Sequence, residues 1–250
     1  MLLSTQGIVL HTTKYSESSM IAKIFTRELG LRGYLVRGVR QGHGSQGRAN
    51  LLHPMSHLEL SVYENAKRDL QYVKEMHPAH HYNSLTTDSV KMALLFFMDE
   101  VLYKSIREEE PNQQFFDYIV QQLQQLDSMQ STSESASLPL DFLILTSHHL
   151  GIAPLDNYSA HEPLFNLKEG RFLPFPTRSD MIEADSAFYL DAEASNDFHT
   201  CLQHAHRAAV PDLPSVRRNQ TLSHLLEYYH LHLTDFHNFH SHQIFHSVLR

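Results

Sequence analysis

The chain has 250 residues, 42% of them hydrophobic, a formal net charge of −8 and a single cysteine, Cys201; this excludes a disulfide framework and a Cys-rich metal knuckle and leads us to expect a reducing, cytoplasmic setting. The overall sign conceals a split, because up to His80 ten Lys and Arg face six Asp and Glu, net +4, whereas beyond it ten face twenty-two, net −12. A basic segment on an acidic chain is an electrostatic footprint for a polyanion, confined to that segment.

Five short runs rich in β-branched, aromatic and aliphatic residues predict strands over 7–10, 20–27, 31–39, 58–63 and 70–75, separated by turn-forming segments. In the second run Met20, Ala22, Ile24 and Thr26 alternate with Ile21, Lys23, Phe25 and Arg27, so one face is expected to bury while the other carries cations. Leu29-Gly30 supplies the turn into the third run, and a Gly-rich excursion separates the third from the fourth. Five strands in so short a span suit a small closed barrel better than a sandwich, with the OB-fold as the candidate. From Asn83 the period changes to three and four: Val90, Leu94, Phe97, Val101 and Leu102 mark one helix, and Phe115, Phe116, Ile119, Leu123 and Leu126 a second after Pro111. The polar, glycine-free stretch 127–137 is expected to be a flexible loop, and 138–150 a helix stopped by Gly151. A short hairpin is predicted within 163–175, then helices over 192–209 and 214–236. The expected fold class is α+β: a five-stranded OB-fold barrel over 1–80, then an α-helical bundle domain over 81–250 with the hairpin inserted. No apolar run approaches the roughly 18–20 residues of a membrane-spanning helix, and the stretch from Met1 to Gly7 lacks the basic flank of a secretory signal, so neither membrane nor leader is expected.

Several motifs carry chemistry on paper. Gly42-His43-Gly44-Ser45-Gln46-Gly47 spells G-x-G-x-x-G, but a dinucleotide site needs a helix opening directly behind it, and Pro54 follows too soon. Gly33 to Gly38 has phosphate-loop spacing, yet Val39-Arg40 stands where Lys-Ser/Thr is required. The better physical reading is a positively charged adaptable loop, with Arg37, Arg40 and Arg48 offering guanidinium forks to phosphates and Lys14, Lys23, Arg27 and Arg32 extending one basic face. Tyr15, Tyr34, Tyr63 and Tyr72 are candidate stacking platforms for unpaired bases. Against this, tyrosines of a small barrel often sit in its core, and scattered Arg and Lys are often only solvated. Ten of the twenty histidines lie from His199 onward, but H-E-x-x-H is absent and His242 with His246 share a face only in a helical tail; exposed or packed histidines are the better account, and no metal or other cofactor is expected. G-x-S-x-G is absent and Cys201 with His204 falls in a helical pattern, so nothing demands an enzyme.

The segments Gly7-Ile8-Val9-Leu10, Tyr15-Ser16-Glu17-Ser18-Ser19, Ile24 to Leu31 and Val36-Arg37-Gly38-Val39-Arg40 resemble, in order and spacing, the N-terminal region of the RecO family of bacterial recombination mediators; the C-terminal part resembles it more loosely. The resemblance implies an OB-fold that binds single- and double-stranded DNA without a catalytic centre, anneals complementary strands, and works with RecR to place RecA on DNA coated by single-strand-binding protein. It implies DNA contacts at Arg37 and Arg40; Lys14, Lys23, Arg27, Arg32, Tyr34 and Arg48 join them by charge, chemistry and location. The helical domain is similar to one that docks the acidic tail of single-strand-binding protein, for which Arg207, Arg217 and Arg218 are the candidate cations. Many members carry a four-cysteine zinc finger at the hairpin, where this chain has no cysteine, so zinc is not expected there unless histidines substitute. The competing reading is a protein-interaction adaptor whose barrel binds a peptide or acidic protein instead of DNA; a histidine-site metalloenzyme is a more distant third.

Overall fold

The computed structural model describes residues 1–39, 45–65, 67–107, 110–130, 132–176, 187–205 and 213–241. Five strands close a barrel: β1 (Leu2–Lys14), β2 (Ser19–Thr26), β3 (Gly30–Arg37), β4 (His57–Tyr63) and β5 (Leu70–Pro78), in the order β1-β2-β3-β5-β4 with β4 back against β1. All pairings are antiparallel except β3 with β5, which is the strand order of an OB-fold. One long strand serves two neighbours. β1 pairs with β4 through Leu2 to Ile8 and with β2 through Gly7 to Lys14. At the overlap, Gly7 faces both Thr26 and Leu58, and a Cβ there would lie 2.6 Å from Ile24 Cγ2 and 2.8 Å from Leu60 Cδ1, so only glycine lets the strand cross the pinch. A register shift between Val9 and His11 leaves Leu10 as an extra residue and bends the strand. Inward positions build the core from Val9, Ala22, Ile24, Tyr34, Val36, Leu60 and Val62, all at most 3% exposed.

The connection from β3 to β4 carries α1 (Ser45–Asn50), a single short turn of helix. It joins strands that are not neighbours in the barrel, so the parallel strand–helix–strand unit that a dinucleotide fingerprint requires is missing. Residues 42–44 of that motif lie outside the described structure.

The strands end at Pro78, where α2 (Ser89–Ser105) and α3 (Gln113–Ser128) take over. Both starts are capped by side chains: Asp88 accepts from the Val90 and Lys91 amides at 2.8 and 3.1 Å, and Asn112, behind Pro111, accepts from Phe115 N at 3.0 Å. By their internal packing, the compact unit that holds the barrel runs from Met1 to Met129 and includes α2 and α3; Gln130–Phe239 form a second unit. His240 and Ser241 return to the first unit, their amides donating to the Glu100 carboxylate of α2.

The second unit opens with α4 (Thr132–His149), six residues earlier than its apolar pattern begins. The expected loop over 127–137 is therefore corrected to a helix from Thr132. Polarity alone does not make a coil, and the stretch contains no glycine to end a helix. Gly151, at φ +72°, closes α4 with its amide on His148 O and that of Ile152 on Ser147 O. β6 (Leu164–Asn166) and β7 (Arg171–Leu173) form the predicted hairpin, turned by Asn166 Oδ1 accepting from the Lys168 and Glu169 amides. α5 (Ala192–Ala205) and α6 (Ser215–His232) pack with α4 around Phe165, which stacks on Phe198 at 4.2 Å and meets Phe172 at 5.0 Å. No described helix is long and apolar enough to cross a membrane.

Candidate nucleic-acid interface

Helices decide which side of the barrel is open. On the outer face of β1 and β2, His11 stacks on Tyr103 of α2 at 4.7 Å, and Lys23 Nζ sits 5.5 Å above the same ring. Phe25, on the strand face expected to be solvated, is buried against Phe115 and Phe116 of α3 at 5.7 and 6.0 Å. Arg27 reaches α3 as well: its Nε and Nη2 donate to the two oxygens of Asp117 at 2.8 and 2.9 Å, and Glu28 lies 3.3 Å from Nη1. Hydrogen bonds donated to Asp117 and then to Glu28 raise the guanidinium above its ordinary pKa, while the Arg27 contact holds the Asp117 carboxyl below the usual range. Lys23 and Arg27 thus lie on the helix-covered side, and the charge of Arg27 is neutralised there.

Tyr34 also leaves the predicted set. It points inward, fully buried among the barrel core, and burial pushes its phenol pKa up; it is a core residue and no stacking platform. Arg32, two residues before it on the same face of β3, is paired to Glu64 at 3.6 Å. Lys14 is exposed at the end of β1, opposite Met20. Arg40 lies outside the described residues.

What remains gathers along the β3–β5 side of the barrel. The amide of Val39, just past β3, donates to Ser18 O at 2.9 Å and ties the exit of β3 to the β1–β2 turn. In β5 the ladder passes from Val62↔Val73 to Ser61↔Glu75, leaving Lys74 as the bulged residue. Arg48 of α1 occupies this gap, with Nη1 donating to Arg37 O at 3.2 Å and Nη2 to Lys74 O at 3.1 Å. Arg37 lies 5.0 Å from the ring centre of Tyr72, and Arg68 5.8 Å from it. The β4–β5 turn that presents Arg68 is built on the buried amide of Gln71, whose Oε1 accepts from Asn65 N at 2.9 Å and whose Nε2 donates to Asn65 O at 3.0 Å. Asn65 in turn accepts from the Lys67 and Arg68 amides at 3.0 Å each, so both cations project from a fixed turn.

Arg37, Arg48 and Arg68 therefore gather around Tyr72 and the Lys74 bulge on the β3–β5 side of the barrel, with Lys67 in the adjoining β4–β5 turn, against the exposed acids Asp69 and Glu75, the latter 3.4 Å from Lys74. Carbonyls and rings orient a guanidinium without cancelling its charge. The sequence reading missed Lys67, Arg68 and Lys74. Their signal was the run Asn65 to Asp69 between two strands of a barrel whose fourth connection is a known ligand loop.

The second unit treats its cations differently. Arg217 donates through Nε to the buried Asp197 at 2.6 Å, also bonds it through Nη2, and lies 3.2 Å from Glu193. It is thus held within the unit by two carboxylates, which corrects its expected availability to an acidic tail. Arg218 donates to Leu213 O at 2.7 Å, and Arg207 lies outside the described residues. Cys201 is buried, with its thiol pushed up to about 12, which removes it as a nucleophile. Among the described residues no three His, Cys, Asp or Glu converge as a metal site. At the Phe165–Phe172 hairpin, where the resemblance implies a zinc finger in other members, Asn157 donates to Phe172 O at 3.0 Å and accepts from Phe172 N at 2.9 Å beside aromatic rings, a donor set that does not fit zinc. The nearby His199 is turned by Nδ1 to Asp156 Oδ1 at 2.6 Å and stacks on Tyr158 at 4.5 Å.

Comparison with known proteins agrees along the chain. The family described as Recombination protein O N terminal matches residues 1–82, and Recombination protein O C terminal matches residues 86–162. The chain is 32% identical over 236 residues to a protein of Christiangramia forsetii named DNA repair protein RecO, covering 94% of each. Proteins of the same name from Flavobacterium psychrophilum and Porphyromonas gingivalis are 30% and 28% identical, again over 94% of both chains.

Proposed function

The chain belongs to the RecO family, and from that premise we propose that it is a DNA-binding recombination mediator in DNA repair. It binds single- and double-stranded DNA on the barrel, promotes annealing of complementary strands and, with RecR, helps load RecA onto DNA coated by single-strand-binding protein. It works in the cytoplasm by binding, without a catalytic centre or cofactor. The observation that carries the reading is the set of cations Arg37, Arg48, Lys67, Arg68 and Lys74 along the β3–β5 side of an OB barrel, between its β1–β2 and β4–β5 connections, which are the loops with which such barrels hold oligonucleotides. Annealing brings two polyanions together, and a cationic surface without base readout lowers that barrier by displacing counterions. The acidic second unit would repel DNA and leave its surface to protein partners; with Arg217 neutralised, Arg218 and Arg207 are the remaining cations proposed for the tail of single-strand-binding protein.

The test is fluorescence anisotropy of a labelled mixed-sequence oligonucleotide, single- and double-stranded, over a salt series, with wild type and the Arg37→Glu/Arg68→Glu variant. Binding that weakens steeply with salt and is lost in the variant supports the reading. A folded wild type that ignores both oligonucleotides at low salt overturns it in favour of the peptide-binding adaptor.

A further inference from the structure

The register of the barrel aligns four residues in a row across four strands. Leu35 of β3 stands opposite Tyr72 of β5, Tyr72 opposite Tyr63 of β4, and Tyr63 opposite Leu2 of β1. Their chain neighbours Tyr34, Gln71, Val62 and Leu3 are turned to the barrel interior or packed on its core, so strand alternation turns all four of the row outward. Leu35 is buried, but Tyr63 and Leu2 are each 49% exposed, an open aromatic and aliphatic pair beside the cation cluster. Directly opposed residues on antiparallel strands hold their Cβ atoms about 4.5–5.5 Å apart, which sets the two tyrosines side by side. Arg37 and Arg68 flank this pair through the Tyr72 ring.

We propose that Tyr63 and Tyr72 form a stacking platform for unpaired bases, so that this side of the barrel takes single-stranded nucleic acid by its bases while Arg37 and Arg68 meet the flanking phosphates. The proposal rests on the DNA-binding reading above and adds to it the strand form and the residues that select it. Base faces are available only where bases are unstacked, and a ring pair next to guanidiniums offers them both stacking and charge. The location follows from the helices: among the described residues α2 and α3 pack on the outer side of β1 and β2 and reach the start of β4 at His57, 5.9 Å from Phe116, while Tyr63 at the other end of β4 stays exposed beside the cations. A duplex meets the same cations but has no free base to stack.

The chain contains no tryptophan, so Tyr72→Trp creates a single fluorescent reporter on the platform. Its emission is expected to be quenched on titration with oligo(dT) and left nearly unchanged by a blunt hairpin duplex. In parallel, Tyr63→Ala, which leaves the Tyr72 ring beside Arg37 and Arg68, should weaken oligo(dT) binding about fivefold or more while duplex affinity stays within about twofold, and Tyr63→Phe should retain single-strand binding. Equal losses for both DNA forms, or an unaffected single strand in a variant whose circular dichroism and melting match wild type, would overturn the platform. If DNA binding is lost with Arg37→Glu/Arg68→Glu but untouched by the tyrosine variants, only the platform fails. If wild type binds neither DNA form, the DNA-binding reading falls with it, and capture of a protein at this face would become the explanation for the exposed rings.

Discussion

The two units handle arginine in opposite ways. On the β3–β5 side of the barrel, Arg48 rests on the carbonyls of Arg37 and Lys74, and Arg37 and Arg68 rest on the Tyr72 ring; in the second unit Arg217 is clasped by Asp197 and Glu193. Carbonyls and rings set direction while leaving a full positive charge for a phosphate, whereas carboxylates consume it. The contrast recurs within the first unit, where Arg27 is neutralised by Asp117 of α3. Charge counts therefore say where to look, and the partner of each cation says what it has left to offer.

The largest expected effect tests whether the units really divide the labour. Phe165→Ala empties a fully buried site in the second unit and should cost that unit about 3–5 kcal/mol, seen as an early transition in thermal unfolding. Duplex binding below that transition should be unchanged; a parallel loss of DNA binding would break the division. Next comes pH. Asp99 of α2 has an Oδ1 that is buried with no hydrogen-bond partner among the described residues, and desolvation pushes its carboxyl from 3.8 up to about 8; Asp141 of α4 rises to about 6 for the same reason. A raised acid favours the folded, protonated form, so its contribution is complete below pH 3.8 and is lost as pH rises toward the folded value. Between pH 6 and 8 the first unit should lose up to about 1.4 kcal/mol per pH unit while the contribution of Asp141 stays level. Asp99→Asn should flatten the first slope in chemical denaturation, and an unchanged slope would move the titration to another group.

The next effect sharpens the arginine contrast directly. Arg37→Glu/Arg68→Glu should lower DNA affinity about tenfold or more near physiological salt and reduce the slope of log affinity against log salt by about 2, one for each phosphate contact removed. Arg217→Glu should leave that slope alone and lower only the melting temperature of the second unit, because Asp197 is left buried opposite a like charge. The smallest effect is Gly170→Ala. Gly170 sits at φ +69°, and a Cβ there would lie 2.9 Å from Tyr228 Oη, so a destabilisation of about 1–2 kcal/mol, confined to the second unit, is expected by calorimetry.

Much of the fold was legible because strand and helix periods are local. The alternation of Met20, Ala22 and Ile24, the glycine turn at Gly30, the Pro111–Asn112 start of α3 and the Gly151 stop of α4 all act within a few residues of themselves. The loop expected over 127–137 failed because its signal was polarity, and a polar stretch is equally a solvated helix face. The functional surface was only half legible. Arg37 and Arg48 stood out beside glycines, but nothing in the order of residues tells that Arg27 meets Asp117 ninety positions later, that Tyr34 falls on the inward register, or that Arg68 comes to share the Tyr72 ring with Arg37.

The sequence by itself determined the barrel strands, most of the helices, the basic character of the first third and the family, since each is a property of neighbouring residues or of their order. The tertiary structure alone decided which cations remain available and which rings are open. Both depend on closure of β3 against β5 and on where α2 and α3 lie over β1 and β2, and these contacts join residues far apart in the chain.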